Sequence, residues 1–196
     1  MNFLAHLYLA DDANDSLVGH LLGDFVKGGA IRQYDETIQA AIRFHRKIDT
    51  FADTHPITRA SRNRIGPQRR RFAGIIVDVC YDHFLARDWH RFADETLSVF
   101  AQRVYADLNG RRNQLPDSAG RVLNRMISYD WLNSYHDIGN VGVALDRIAG
   151  RLTHGERFLG GLADVQANYT ALQNDFLAFF PELIGFTRAF KQNEKG

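Results

Sequence analysis

Two acidic residues lie at helical spacing in an otherwise apolar stretch of this sequence. Asp78 and Asp82 are four positions apart, and residues 72–85 contain no Lys or Arg. In a helix, side chains at that spacing share one face, with Cβ atoms about 5–6 Å apart. Two carboxylates in a poorly solvated place repel, so they need a cation, a shared proton or hydrogen-bond donors. A divalent metal ion would satisfy both; the alternative is that one acid is exposed while the other pairs with an Arg.

Further candidate metal ligands precede this pair in the chain. Asp24 is the only Asp, Glu, Lys or Arg within residues 17–26, and His45 and Asp49 form a second pair four positions apart. Nitrogen and oxygen ligands on neighbouring helices suit Mn²⁺, Fe²⁺ or Zn²⁺, and a carboxylate-rich set favours Mn²⁺ or Mg²⁺. Two alternatives remain: a structural pair of Asp24 with His20, and a surface salt bridge between the second pair and its basic neighbours.

The sequence offers no protein nucleophile. It lacks a Gly-rich phosphate loop, a nucleophile elbow and a His-Glu-x-x-His motif, and Cys80 lies in an apolar run that indicates an inert thiol. Water activated by a metal ion is then the simplest nucleophile. His83 points about 100° around the helix from Asp82, which suits an acid, a base or a group that orients a ligand. His6 is ambiguous by itself, and the His136-Asp137 dipeptide, which precedes a predicted loop, is set aside.

The basic residues are concentrated in one stretch of a nearly neutral chain. The net charge is +1, with twenty Arg and four Lys. This balance argues against a nucleic-acid-binding protein, while Arg is the better bidentate ligand for carboxylate and phosphate. We predict a local basic patch that docks an acidic partner; the alternative is that these charges only solvate a loop. The patch comprises Arg59, Arg62, Arg64, Arg69, Arg70 and Arg71.

The apolar pattern predicts an all-α fold. Apolar residues recur at three- and four-residue steps, and no stretch alternates strictly between turn signals. We expect a single-domain bundle of about seven helices in residues 1–190 and a frayed tail over 191–196. One cysteine and no apolar run of the ~18 residues that span a bilayer favour a cytoplasmic protein without membrane association. After a short apolar N-terminal segment, helices are predicted near residues 16–26, 35–55, 72–86, 91–108, 117–135, 140–152 and 158–181.

Several of the candidate residues fall in four sequence blocks. The blocks are Asn2-Phe3-Leu4-Ala5-His6-Leu7, Gly23-Asp24-Phe25, His45-Arg46-Lys47-Ile48-Asp49 and Asp78-Val79-Cys80-Tyr81-Asp82-His83-Phe84-Leu85. In this order and at similar spacing they resemble the blocks of the acyl carrier protein phosphodiesterase family, and Phe179-Phe180-Pro181 is also similar. The resemblance runs over nearly the whole chain. Two departures are His20, where the family has Asn, and the order Asp82-His83 in place of the His-Asp of HD domains.

The resemblance implies both a fold and a reaction. The fold would be distantly related to the HD-domain metallohydrolases. The reaction would be hydrolysis of the phosphodiester between 4′-phosphopantetheine and a serine of holo-acyl carrier protein, an acidic protein substrate. The cofactor would be Mn²⁺, with Mg²⁺, Fe²⁺ or another divalent cation as alternatives. The competing interpretations are an HD-type nucleotide phosphohydrolase and a noncatalytic helical adaptor for an acidic partner.

The expected roles of individual residues follow from this reaction. The metal ion would be held by Asp24, Asp78 and Asp82, with His45 or Asp49 completing the site. His6 or His83 would protonate the serine oxygen as it leaves, and Arg46 would neutralise charge on the phosphoryl oxygens. The carrier would dock on the basic patch, chiefly on Arg62, Arg64, Arg69, Arg70 and Arg71.

Overall fold

The computed structural model describes residues 1–150 and 155–194 of the chain. These residues form eleven α-helices and five short 3-10 helices, without a β-strand among them. The predicted all-α class is confirmed, whereas the predicted number of about seven helices is too low. The α-helices are α1 (Phe3–Asp12), α2 (Leu17–Leu22), α3 (Glu36–Thr54), α4 (Pro56–Arg64), α5 (Ala73–Arg87), α6 (Leu97–Gly110), α7 (Asp117–Ser128), α8 (Trp131–Ser134), α9 (Ile138–Ala149), α10 (Gly161–Ala167) and α11 (Tyr169–Glu194).

The additional helices arise where predicted elements are interrupted. The helix predicted over residues 117–135 breaks into α7 and α8 because Asp130 has a positive φ of 44°, a left-handed conformation that ends a helix. The helix predicted from residue 158 divides after α10, where the side chain of Asn168 donates to the carbonyl of Asp164. The apolar N-terminal segment is itself helical. Pro56 not only ends the preceding segment but also opens α4, where its missing N–H has no helical partner to lose.

The last helix extends further than its sequence predicts. Pro181 was expected to end it, yet α11 continues to Glu194. Leu183 and Thr187 beyond the proline are buried, and Phe186 and Phe190 pack against the core. Burial of this stripe offsets the loss of one backbone hydrogen bond at the proline. The predicted tail therefore begins inside α11, and its last two residues lie outside the described part.

Helix α5 is the centre of the fold. It contacts α1, α4, α9, α10 and α11, and eleven of its fifteen residues are buried. Aromatic side chains of α11 pack on it, among them Phe176 against Phe84 and Phe179 against Tyr81. On another side, α1 packs on α5 and α2, and α2 packs on α3. The first three helices therefore pack in series, with α1 between α2 and the buried central helix. None of the described helices is both long and apolar enough to cross a membrane.

We expect Phe180→Ala to lower the free energy of unfolding by about 3–5 kcal/mol. Phe180 is fully buried and its ring lies 5.0–5.6 Å from those of Tyr8, Phe92 and Phe176, so truncation leaves a cavity between α1 and α11. Denaturant unfolding monitored by circular dichroism measures the change. The control is Val99→Ala on the exposed face of α6, which should change the stability by no more than about 0.5 kcal/mol. Equal losses in both variants would contradict this view of the core.

Candidate metal centre

Three helices each contribute one buried histidine to a common cluster. His6 of α1, His20 of α2 and His45 of α3 each offer a ring nitrogen, and these atoms lie within 4.8 Å of one another. The rings of His6 and His45 stack with centroids 3.7 Å apart and planes 15° apart. We name this set, with Asp24 and Asp49, the His-Asp cluster.

Asp49 links two of these imidazoles. Its Oδ1 lies 3.0 Å from Nε2 of His6, and its Oδ2 lies 3.2 Å from Nε2 of His45. Asp24, which is exposed, approaches Nε2 of His45 at 3.7 Å. The cluster thus combines buried imidazole nitrogens with the carboxylate of Asp24, which faces solvent.

The charges in the cluster give the two stacked histidines different pKa values. Burial and the neighbouring charge of His45 lower the pKa of His6 to about 3. Burial also opposes the charge of His45, but the carboxylates of Asp24 and Asp49 outweigh it and raise the pKa of His45 to about 9. Burial raises the pKa of Asp49, but the hydrogen bonds from His45 and His6 outweigh burial and lower this pKa. His6 is therefore neutral near pH 7, and His45 is protonated in the metal-free protein.

The buried nitrogens of the cluster fit a metal ion. Nδ1 of His6, His20 and His45 is buried without a hydrogen-bond partner among the described residues. When the neutral ring of His6 donates from Nε2 to Asp49, its Nδ1 carries a free lone pair. His20 is held in the same way, with Nε2 3.2 Å from Oδ2 of Asp15. A carboxylate on the far ring nitrogen is the arrangement that orients histidine ligands in metal sites. The His triad could therefore hold a metal ion.

Glycines let the helices approach closely enough to form the cluster. A Cβ atom at Gly23 would overlap the ring of His45, and one at Gly19 would overlap the side chain of Ala41. Both glycines lie at the α2–α3 contact, where Ser16 caps α2 by accepting from the N–H of Gly19. The Gly23-Asp24 block thus has a steric role: the glycine admits the imidazole, and the next residue supplies the carboxylate at the rim.

Asp78 and Asp82 of α5 have different surroundings. Asp82 is fully buried, and its two oxygens accept hydrogen bonds from the N–H groups of Leu4 at 2.8 Å and Ala5 at 3.0 Å. It therefore caps the first turn of α1. Burial raises the pKa of Asp82 to about 7 despite these bonds. Asp78 lies toward the cluster, where the amino group of Met1 is 3.4 Å from Asp78 and 3.1 Å from Asp49.

Asp78 keeps an unused ligand atom. Its Oδ1 is buried without a hydrogen-bond partner in the described part of the chain, and burial raises its pKa. The Met1 amino group shows that the two acids attract a positive charge to the space between them. Asp78 and Asp49 thus both lie beside the Met1 amino group, whereas the oxygens of Asp82 accept hydrogen bonds from backbone donors.

Two predicted catalytic residues point elsewhere. Nδ1 of His83 lies 2.7 Å from the carbonyl oxygen of Tyr135, and its Nε2 lies 2.7 Å from the hydroxyl of Tyr169. It lines a separate open cavity of about 580 Å³ with Arg87. Arg46 donates to the carbonyl of Val26 at 2.6 Å, which fixes the chain that follows Asp24. His6 is the predicted catalytic residue that the fold places inside the cluster.

The predicted basic patch is largely engaged in ion pairs. Arg62 pairs with Asp53, Arg64 with Asp175 at 2.9 Å, and Arg69 with Asp164 at 3.2 Å. Arg70 donates to the side chain of Asn63. Arg59 and Arg71 have no ion pair with any described residue. Exposed positive charge in this stretch is therefore smaller than the sequence suggests.

The sequence pattern did not indicate that His20 and Asp15 belong to this site. His20 was considered only as a structural partner of Asp24, but it pairs with Asp15 and joins the cluster instead. The available signal was the five-residue spacing across the Ser16 cap, which turns Asp15 back toward the first turns of α2. The convergence of α1, α2 and α3 is a tertiary feature that no local spacing reveals.

Comparison with known proteins identifies the family of the chain. The family model for acyl carrier protein phosphodiesterase matches residues 1–183. The chain belongs to this family. A protein of Serratia proteamaculans named acyl carrier protein phosphodiesterase is 34% identical over 185 residues, covering 94% of this chain and 96% of the relative. Proteins of the same name from Salmonella agona and Salmonella dublin are 36% identical over 188 residues, with the same coverage. No solved structure matches the chain significantly.

A substitution at Asp82 distinguishes a helix cap from a metal ligand. Asp82→Ala leaves two buried N–H groups without acceptors, so we expect a loss of about 1–3 kcal/mol in the free energy of unfolding. Mn²⁺ should still raise the melting temperature of the variant by the wild-type increment, because the cluster is intact. Asp49→Ala is the matched comparison and should lose that increment. An Asp82→Ala protein with unchanged stability and no Mn²⁺ response would make Asp82 a ligand.

Proposed function

We propose that this protein hydrolyses the phosphodiester that joins 4′-phosphopantetheine to a serine of holo-acyl carrier protein. The observation that carries the proposal is the His-Asp cluster, a buried set of nitrogen ligands beside a solvent-exposed carboxylate. Membership of the acyl carrier protein phosphodiesterase family, and the names of the relatives, supply the reaction and the substrate. The products would be apo-acyl carrier protein and 4′-phosphopantetheine.

The metal site we propose combines the histidine triad with the neighbouring acids. His6, His20 and His45 would supply nitrogen, and Asp24, Asp49 and Asp78 are the carboxylates available to complete the site. A mixed nitrogen and carboxylate set favours Mn²⁺, with Mg²⁺, Fe²⁺ or another divalent cation as alternatives. A divalent cation bound there would polarise the phosphodiester and lower the pKa of a water molecule.

The protein's own groups would position the substrate. Asp24 lies at the exposed rim, where the diester must enter, and Asp49 fixes the orientation of the stacked rings of His6 and His45. The departing serine oxygen requires a proton. We propose that a solvent water molecule at the exposed rim supplies it, because the imidazoles of the cluster are assigned to the metal ion in this proposal and His83 faces the other cavity. Arg46 would hold the loop behind Asp24 and contribute positive charge near the rim.

Mass spectrometry of holo-acyl carrier protein tests the reaction directly. Incubation with the protein and Mn²⁺ should remove the 4′-phosphopantetheine mass from the carrier, and treatment with EDTA should abolish the conversion until Mn²⁺ is restored. Asp24→Ala, Asp78→Ala and His45→Ala should each reduce turnover at least 100-fold, a loss of the size expected when a metal site is removed.

The control for these variants is His90→Ala, which removes an exposed imidazole from the 3-10 helix Trp89–Arg91. It should keep wild-type turnover. A carrier that keeps its arm under all conditions would refute the proposed function. Full turnover in EDTA together with full turnover by His45→Ala would refute the metal site while leaving the reaction intact.

The ion pairs of the basic patch refine the proposed docking surface. Arg59 and Arg71 keep their charge available, whereas Arg62, Arg64 and Arg69 are each held by an aspartate. We expect Arg59→Glu with Arg71→Glu to raise the KM for holo-carrier several-fold with little change in kcat, mainly through slower association. The wild-type KM should rise with salt, because the Debye length falls from about 10 Å at 0.1 M to 3 Å at 1 M.

The matched control reverses two exposed charges elsewhere, Arg111→Glu just after α6 and Arg121→Glu within α7. It should leave the KM unchanged. If this control raises the KM and the first pair does not, the carrier docks on the α6–α7 end of the molecule instead of on the basic patch.

A further inference from the structure

A groove with aromatic walls begins beside the start of α1. It encloses about 210 Å³ and is bordered by the side chains of Asn2, Phe3, Trp131, Tyr135, Val143 and Arg147. The residues come from α1, α8, α9 and the turn between α8 and α9. The groove adjoins a more open hollow of about 370 Å³, whose lining includes Arg125 and Tyr129. The two hollows share Tyr129, Trp131 and Arg147, so they are adjacent.

The walls of this groove leave apolar surface exposed to water. Tyr129 is 61% exposed and Val143 is 46% exposed, although both are large apolar side chains. The guanidinium of Arg147 lies 5.3 Å from the centre of the Tyr129 ring, and the rings of Phe3 and Trp131 lie 6.3 Å apart. Adjacent apolar side chains left accessible around a concave surface are typical of a ligand site.

Polar groups at the inner end suit a ligand that carries amides. Asn2 donates from Nδ2 to the hydroxyl of Tyr135 at 2.9 Å, which fixes the amide and leaves its Oδ1 without a partner among the described residues. Asn140 donates from Nδ2 to the carbonyl of Ser134, so its Oδ1 is similarly available. Two carboxamide oxygens that are fixed in place can accept hydrogen bonds from N–H groups of a bound chain.

The groove starts next to the His-Asp cluster. Asn2 lines it, and the amino group of the preceding residue, Met1, lies 3.1 Å from Asp49. If the phosphate of a bound chain reached the cluster, the atoms that follow the phosphate would therefore lie at Asn2. From there the groove leads away past Trp131 toward Tyr129.

We propose that this groove binds the pantetheine arm of the substrate, an inference that rests on the proposed function. Beyond its phosphate the arm is a slender chain with a dimethyl-substituted carbon, two amides and a terminal thiol. The methyl groups match the aromatic walls, and the amide N–H groups match the oxygens of Asn2 and Asn140. The phosphate would lie at the His-Asp cluster and the thiol would lie toward Tyr129 and Arg147.

Binding of pantetheine itself tests the groove without requiring catalysis. Pantetheine lacks the phosphate and the carrier, so its binding to the metal-free protein reports on the groove alone. Titration followed by NMR should show saturable binding to the wild type. Val143→Trp fills the groove from an exposed position, and we expect it to weaken this binding at least tenfold. Tyr129→Ala, which removes an exposed wall and leaves the core intact, should weaken it several-fold.

The matched control is Val99→Trp, the same change at an exposed position of α6 that does not line the groove. It should bind pantetheine as the wild type does. In turnover, Val143→Trp should raise the KM for holo-carrier several-fold, and Val99→Trp should not. The inference is overturned if the wild type does not bind pantetheine, or if both Val143→Trp and Tyr129→Ala bind it with wild-type affinity. Saturable binding by a wild type that leaves holo-carrier intact would instead refute the proposed function and keep the groove.

Discussion

Asp49 divides its two carboxylate oxygens between imidazoles from different helices, His6 on α1 and His45 on α3. A single acid thereby joins two segments that would otherwise place polar rings unpaired in the core. An unpaired charge in such a place destabilises the fold by several kcal/mol, on the order of 3–5. The shared carboxylate thereby holds the two stacked rings together and ties α1 to α3.

The arrangement also requires close helix contacts, and the smallest residues provide them. Gly23 admits the ring of His45, and Gly19 admits α3. The imidazoles of the cluster are buried, whereas the carboxylates of Asp24 and Asp49 are partly exposed to solvent. Low solvation strengthens electrostatic interactions with an incoming phosphodiester, since fewer water dipoles screen them.

The sequence was informative about elements and about which residues carry chemistry, but less so about how the elements meet. Helical periodicity identified α3 and α5 and the acids on them, because local spacing determines a shared face. The same spacing could not show that Asp82 turns to the N-terminus of α1 while Asp78 turns to the cluster. Nor could it show that Asp175 and Asp164 neutralise Arg64 and Arg69, since these partners are more than ninety residues apart. Such pairings are set by the packing of whole helices.

The hydrogen bonds from Leu4 and Ala5 to Asp82 span 78 and 77 residues of chain. Contacts of such long sequence separation form only after a large loop has closed, which costs entropy and slows folding. During synthesis, α1 leaves the ribosome long before its cap exists. These two hydrogen bonds therefore form only after α5 has been synthesised, and they connect the start of the chain to its central helix.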